Sequence, residues 1–468
     1  MRNRYLDLLR AAAIVRVIVY HLFGWPWLSI VLPAMGIMFA LAGSLTAASL
    51  ERRAGRRVVY SRLRRLLPPL WLLGLIVVPV MLIMGWRQEV GGEHPFSLPR
   101  LLFWIFPVGD PPGSDAAVDA WEPLWYVRAY LWFILLSPFL YALYKRIGWA
   151  AVALPLALIV VLDRTGLTLP ATADAAMWDF VTFGACWMAG FAHRDGRLRR
   201  LPVWVAYPVA IALGAAAMYY LSGHQGDDPW DLNDVPESQA LWSIAFVLIV
   251  LRWQPPMAWL ARVRPLDRLV TLLNARAVTV YLWHNIAIDA VWPILAFVAL
   301  DDLAGRLGAG VDLVMALVVT LIAVLLFGWA EDLAARRAPK LWPTGSRAFE
   351  KEEIPEPADV PEPPAIASGR PDVRAYGAAA AMSPRPGAWV PRTGFSAPPV
   401  VPGTGSGTVP SDGRHTATGD GDDRNVTLGL PVAGRRASRS EQPLVGEVLD
   451  APGDRPDWFR PGLGRPGQ

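Results

Sequence analysis

The chain has 468 residues, 54% of them hydrophobic, with 22 tryptophans, one cysteine and a net charge of +4. Its apolar residues recur in runs of about 16 to 23, which excludes an ordinary water-soluble core and predicts an all-α, polytopic membrane bundle. The lone Cys186 excludes an internal disulfide or a cysteine-built metal site, and no nucleic-acid partner is expected.

Ten spans are expected, at about 11–31, 33–50, 66–84, 123–143, 148–163, 177–192, 202–221, 239–251, 277–299 and 311–330. The first begins with Asp7 and Arg10 and carries His21. Eleven helical steps lead from Arg10 to His21, about three turns, so the two side chains fall within roughly 20° of one face and about 16 Å apart. One face thus joins a cation at the membrane edge to an imidazole expected to be buried near mid-bilayer. The apolar run is long and holds Arg16, so it is expected to remain in the mature protein and not to be a cleaved leader.

Loop charge sets the orientation. Segments on the side of the N-terminus hold about two dozen Arg and Lys, including ERRAGRRVVYSRLRR at 51–65 and HRDGRLRR at 193–200, against about four opposite. Both termini are therefore expected in the cytoplasm of a cell-membrane protein. The long loop from Gly85 to Glu122 falls outside, and its apolar middle, 97–108, is too short to cross; it is expected to lie at the interface or to pack on the surface. Two domains are expected: a membrane domain, 1–340, and a tail, 341–468, that carries twenty of the chain's 43 prolines and is expected to be disordered in the cytoplasm.

Ionisable groups inside spans carry the chemistry, because each costs about 2.5 to 3.5 kcal/mol to insert and tends to be kept for function. Arg16, Arg128, Asp179 and Asp289 are of this kind and are expected to face one another or a cavity; internal ion pairing that fixes register is the plainer alternative for Arg16, Asp179 and Asp289. His284, in VYLWHNIAID, is the second imidazole at membrane depth. His94, His193, His224 and His415 fall in loops or tail and are expected to be solvated. No HExxH, Cys/His cluster or Walker loop occurs, so no metal is expected.

Arg10, Arg62, Arg64 and Arg65 gather where the first and third spans meet the cytoplasm, and arginine clusters hold phosphates by bidentate bonds. A donor anchored there and reaching about 16 Å inward would present its far end to His21. Coenzyme A has that shape, with phosphates at one end and a thioester on a long arm. A neutral imidazole takes the proton from an attacking hydroxyl, or is itself acylated first.

Five stretches resemble the membrane acyltransferase-3 family: LDLLRAAAIVRVIVYH with Arg10 and His21, GIMFALAGSL at 36–45, RLRRLLPPLW at 62–71 with Arg62 and Arg65, LWYVRAYLWFILLSP at 124–138, and VYLWHN at 280–285. The resemblance covers about residues 1–330. It implies a ten-helix core, His21 as catalytic histidine, Arg10 in support, and Arg62 and Arg65 at the acyl-CoA site. His284, Arg128 and Glu122 are the candidates for shaping the cavity or binding the acceptor. The donor is expected to be an acyl-CoA, with acetyl-CoA the first choice, and the acceptor a hydroxyl of a carbohydrate or glycolipid exposed across the bilayer. Two departures from the pattern stand out: Arg16 within the first span, and a tail that does not form a hydrolase-like domain. The rival expectations are a transporter or flippase for a glycolipid-like amphiphile, using the same charged cavity, and an inert scaffold that recruits partners through its tail.

Overall fold

The computed structural model describes residues 3–89, 95–225, 228–303 and 305–342, and among these it contains helices and turns but no strand. Of the expected tail, 341–468, all but Leu341 and Trp342 lies outside the described residues.

Helix α1 (Arg4–Phe23) begins where the Asn3 side chain accepts the Tyr5 amide at 3.1 Å. It ends where Gly24, at φ +63°, donates its N–H to the Tyr20 carbonyl. Pro26 follows, and residues 27–31 form a separate short helix. The expected continuous span 11–31 is thus broken. His21 lies in the last turn of α1, and its side chain is exposed, not buried as expected.

The remaining long helices are α2 (Ala34–Leu50), α3 (Gly55–Ile83), α4 (Trp125–Ile147), α5 (Trp149–Thr165), α6 (Ala171–Arg194), α7 (Val203–Gly223) and α8 (Pro236–Arg252). After them come α9 (Arg264–Ala275), α10 (Ala277–Asp289), α11 (Val291–Phe297), α12 (Gly305–Phe327) and α13 (Trp329–Ala334). Each of the ten expected segments falls on helix. Five stretches are long and apolar enough to cross a membrane by length and composition: Trp27–Leu50, Gly55–Ile83, Asp115–Ile147, Val203–Gly223 and Gly305–Phe327. The pair α10 and α11, bent by 44°, makes a sixth if counted as one. The other four expected spans lie on α1 and α6, which carry several charges, and on α5 and α8, which have 17 residues each.

Three apolar cores organise the helices. Phe39, Phe133, Trp187 and Val247 represent the first, which joins α2, α4, α6 and α8. Here α2 and α6 meet backbone to backbone: a Cβ on Gly43 would lie 2.1 Å from the Trp187 carbonyl oxygen, and one on Gly190 would lie 2.1 Å from that of Ala40. Close approach through small residues is how helices gain packing where lipid removes the hydrophobic drive. The second core joins α9, α10, α11 and α12 through Val270, Val280, Leu295 and Ala316. The third sets Leu70 and Leu73 of α3 against Trp86, Trp104 and Trp121 of the long loop and against Trp283 of α10.

Helix α1 belongs to the first core through Ala13 and Val17 and to the second through Ile14, Ile18 and Leu22. Helix α10 is shared likewise between the second and third. The crossing of α1 and α10 is therefore the seam of the molecule.

In the long loop, the expected interfacial piece is a single turn, Leu102–Ile105, laid on α3. Trp104 is buried over Gly74 and donates to the Pro112 carbonyl at 2.9 Å, while Leu98, Leu102 and Ile105 are exposed. Helix α9 was not expected. Its twelve residues are too few to span, but Leu266, Val270 and Leu273 recur at helical spacing and pack towards α1, and Asn274 donates to the Asp7 carbonyl at 2.8 Å.

Candidate active site

The start of α10 is clamped. Arg276, at 1% exposure, donates to the Gly328 carbonyl at 2.8 Å, to Asp332 at 2.7 Å and to the Lys340 carbonyl at 2.6 Å. The Glu331 carboxylate accepts both the backbone N–H and, at 2.7 Å, the hydroxyl of Thr279, satisfying a donor in the first turn of α10. Burial pushes the Glu331 carboxyl up to about 7. These bonds tie the helix to α12 and α13 and so fix its rotation and its depth.

His284 lies about one and a half turns further along, buried at 1% exposure. Its Nδ1 stands 2.6 Å from the Tyr281 carbonyl oxygen. A carbonyl only accepts, so Nδ1 carries the proton and Nε2 of the neutral ring presents a lone pair. That Nε2 has no hydrogen-bond partner. The His21 ring packs against the His284 ring, with centroids 5.2 Å apart and planes at 64°. Two imidazoles predicted from separate segments therefore meet, one exposed and one enclosed.

From His284 a column of tyrosines leads towards the arginine-rich end of the bundle. Tyr281 lies 5.6 Å from His284 and 4.8 Å from Tyr126, and Tyr126 stacks on Tyr130 at 6.1 Å. The Tyr281 hydroxyl donates to the Pro123 carbonyl. Tyr126, Tyr130, Asp7 and Arg62 are the ionisable neighbours of Arg10, and Tyr130, Arg62, Arg64 and Arg337 those of Arg65. Among the described residues none of Arg10, Arg62, Arg64 and Arg65 forms an ion pair, and the buried Nε of Arg64 has no partner. Between α1, α2 and α10 lies a narrow cleft, lined by Ala13, Val17, Met35, Met38, Tyr281 and His284, whose free space of about 270 Å³ includes its opening to solvent. Its α1 residues lie within the stretch that separates Arg10 from His21.

The other expected site residues lie elsewhere. Arg128 is buried, with its Nε 3.0 Å and its Nη2 2.9 Å from Asp179, and its Nη1 bonded to Asp110. The guanidinium thus pins the long loop to α4 and α6. Glu122 is exposed, beside the Pro123 carbonyl that Tyr281 engages. Asp289 ends α10 and is exposed rather than within the bundle. His193 is not solvated as expected: its Nδ1 stands 2.9 Å from the Ser44 hydroxyl, and its Nε2 meets Gln254 at 2.5 Å. His94 and His415 lie outside the described residues. The sequence analysis missed the tyrosine column and the Arg276 clamp. The four-residue spacing of Tyr126 and Tyr130 was a signal for the former.

A family model described as "Acyltransferase domain" matches residues 3–330, and so covers α1 through α12 and both imidazoles. No curated protein and no solved structure matches the chain.

Proposed function

The chain belongs to the acyltransferase-3 family, and we propose that it moves an acyl group, acetyl first among the choices, from a cytoplasmic acyl-CoA to a hydroxyl of a carbohydrate or glycolipid exposed on the opposite face. The observation that supports this reading is the contact of His21 with His284, which itself lines the pocket against α1, together with the tyrosines that run from His284 to Arg10 and Arg65. Arg62 and Arg65, with Arg64 and Arg10, hold the donor's phosphates by charge-assisted bonds. The arm of the donor runs along α1, and the thioester comes to rest beside His21.

In this mechanism His21 takes the proton of the acceptor hydroxyl as its oxygen attacks the thioester carbonyl. The new C–O bond forms, the C–S bond breaks, and the departing thiolate takes the proton back from the imidazolium. If His21 is acylated first, its nitrogen attacks the thioester carbonyl, the C–S bond breaks and the thiolate leaves with the ring proton; the acceptor oxygen then attacks the acyl carbon, the C–N bond breaks, and the hydroxyl proton passes to the freed imidazole. His284, neutral and fixed by Tyr281, acts through His21: its lone pair steadies the positive charge that develops on the neighbouring ring. Arg128 and Glu122 shape the far side, Arg128 by holding the long loop in place.

The proposed topology has ten crossings, including α1, α5, α6 and α8, in the cell membrane, with both termini in the cytoplasm. It rests on the loop arginines, and the charges of α1 and α6 are tolerated because they face other helices and the cavity.

The test is turnover of radiolabelled acetyl-CoA by the purified full chain, with circular dichroism to check folding. Wild type binds and slowly hydrolyses acetyl-CoA, His21→Ala stops hydrolysis while leaving binding, and Arg62→Ala with Arg65→Ala weakens binding at least tenfold. A folded wild type that neither binds nor consumes any acyl-CoA tested overturns the donor assignment.

A further inference from the structure

A second pocket opens on the other side of α1, away from the His284 cavity, where no role has been assigned. It is bounded by α1, by the short helix after it, by the starts of α2 and α8, and by Leu232 and Asn233. Arg16, Ser29, Asn233, Gln239 and Ser243 supply its polar lining; its free space of about 230 Å³ includes its opening to solvent, so an entering group sits at a narrow cleft and not in an enclosed chamber.

Arg16 is buried at 8% exposure. Its Nε donates to the Leu28 carbonyl at 3.2 Å, and its guanidinium carbon lies 4.5 Å over the Tyr20 ring. No carboxylate forms an ion pair with it among the described residues. The carboxylate within its electrostatic reach is Asp231, and both oxygens of that group are engaged, one by the Tyr20 hydroxyl and the other by the Asn233 amide at 2.9 Å. Among the described residues, the four N–H groups on the two outer nitrogens of Arg16 thus meet no acceptor. Ser243, at 1% exposure, lines the same pocket, and its hydroxyl also has no partner.

A planar fork of donors beside a spare hydroxyl matches a carboxylate or a sulfate ester, both of which accept bidentate bonds from a guanidinium. An unneutralised cation inside a helix bundle is costly, and a bound anion removes that cost. We infer that this pocket binds an anionic group of the acceptor, a carboxylate or a sulfate, and thereby presents one of the acceptor's hydroxyls to His21. The reach fits. The Tyr20 ring lies 4.5 Å from the Arg16 guanidinium carbon and 5.5 Å from the His21 ring, so the two ends stand at most 10.0 Å apart, the sum of those distances.

The word acceptor rests on the acyl-transfer reading, but the site does not, so its test leaves acyl-CoA out. The purified full chain is titrated calorimetrically with methyl β-D-glucuronide, glucose 6-sulfate and methyl β-D-glucoside. Wild type is expected to bind at least one of the two anionic sugars tenfold or more tightly than the neutral one, and which of them it prefers names the anion. Arg16→Gln should abolish that preference, Arg16→Lys should retain part of it, and Ser243→Ala should weaken anionic binding about threefold or more. Should Arg16→Gln fail to fold, the lysine and alanine variants decide. Equal affinity for neutral and anionic sugars in wild type, binding of none of the three, or a preference untouched by every folded variant overturns the assignment and leaves Arg16 a structural partner of Tyr20 and Asp231. A chain that shows the preference but never turns over acyl-CoA keeps this site and loses the transferase reading.

Discussion

The sharpest consequence of the two-imidazole site concerns His284→Gln. Glutamine reaches about as far as histidine, and its amide N–H is able to donate to the Tyr281 carbonyl, whose oxygen now stands 2.6 Å from Nδ1. The fold should therefore lose less than about 1 kcal/mol. What glutamine lacks is the imidazole ring, whose Nε2 has no partner among the described residues and whose centre lies 5.2 Å from that of His21. If the Nε2 lone pair steadies His21 only when the His21 ring is positively charged, its worth is that of a hydrogen bond to a charged group, about 1.5–3 kcal/mol. The charge exists in the transition state and not in the bound ground state, so the loss belongs to kcat. It amounts to about 10- to 150-fold, with KM for acetyl-CoA nearly unchanged. The assay is initial-rate acetyl-CoA consumption by purified full chain, with melting temperature measured alongside. His284→Ala, which empties the ring volume, should lose the same rate and also melt lower. A folded His284→Gln protein with kcat within twofold of wild type, or one whose defect lies wholly in KM, refutes the role given to His284.

Other outcomes follow from the packing around this site. Replacing Arg276 by Met removes one partner of a buried ion pair and leaves the Asp332 carboxylate without its cation, so unfolding in detergent should be easier by about 3–5 kcal/mol. The Glu331 carboxyl, raised to about 7 by burial, contributes stability that is fully present below its ordinary value of 4.5 and is lost as the pH rises through about 7. Melting scans should show a loss on the order of 1–2 kcal/mol between those limits, and Glu331→Gln should flatten it. Gly190→Val places a side chain on the Ala40 carbonyl and should abolish the monodisperse peak in size-exclusion chromatography, whereas Gly223→Ala, at a position with nothing within 4 Å, should not.

Much of this was legible because helix geometry is local. The alignment of Arg10 and His21 depends only on one continuous helix between them, and α1 supplies it. The break after Phe23 was also legible, in the glycine and proline at 24 and 26, but the apolar run on both sides masked it. Hence the burial expected for His21 was wrong: the helix stops two residues later and leaves the ring at its end. What sequence did not reveal depends on helix rotation. Arg128 and Asp179 are 51 residues apart, and nothing in either segment says that one guanidinium spans Asp179 and a loop carboxylate. The enclosure of His284 likewise follows from the clamp at Arg276 and Thr279, whose partners Asp332 and Glu331 arrive some fifty residues later in the chain.

On the proposed mechanism, the division of burial between the two imidazoles suits their different roles. A base that receives a proton from an incoming hydroxyl must be reachable by that hydroxyl, and His21 is exposed at the end of its helix. A group that only steadies charge gains strength by exclusion from water, where competing solvent would weaken it. His284, with its Nε2 enclosed and its other nitrogen committed to a carbonyl, meets that condition. The helix ends produce this asymmetry: α1 terminates at Gly24 beside His21, while α10 continues past His284 to Asp289. The donor pocket and the Arg16 pocket draw on different neighbours, α10 for one and α8 for the other, and share only α1 and the beginning of α2. In the proposed reaction the two substrates therefore approach α1 from different sides and meet at its last turn. On this scheme, His21→Gln, at an exposed position in the last turn of α1, should fold and bind acetyl-CoA yet fail to transfer; transfer at the wild-type rate would show that the His21 imidazole and its contact with His284 are incidental.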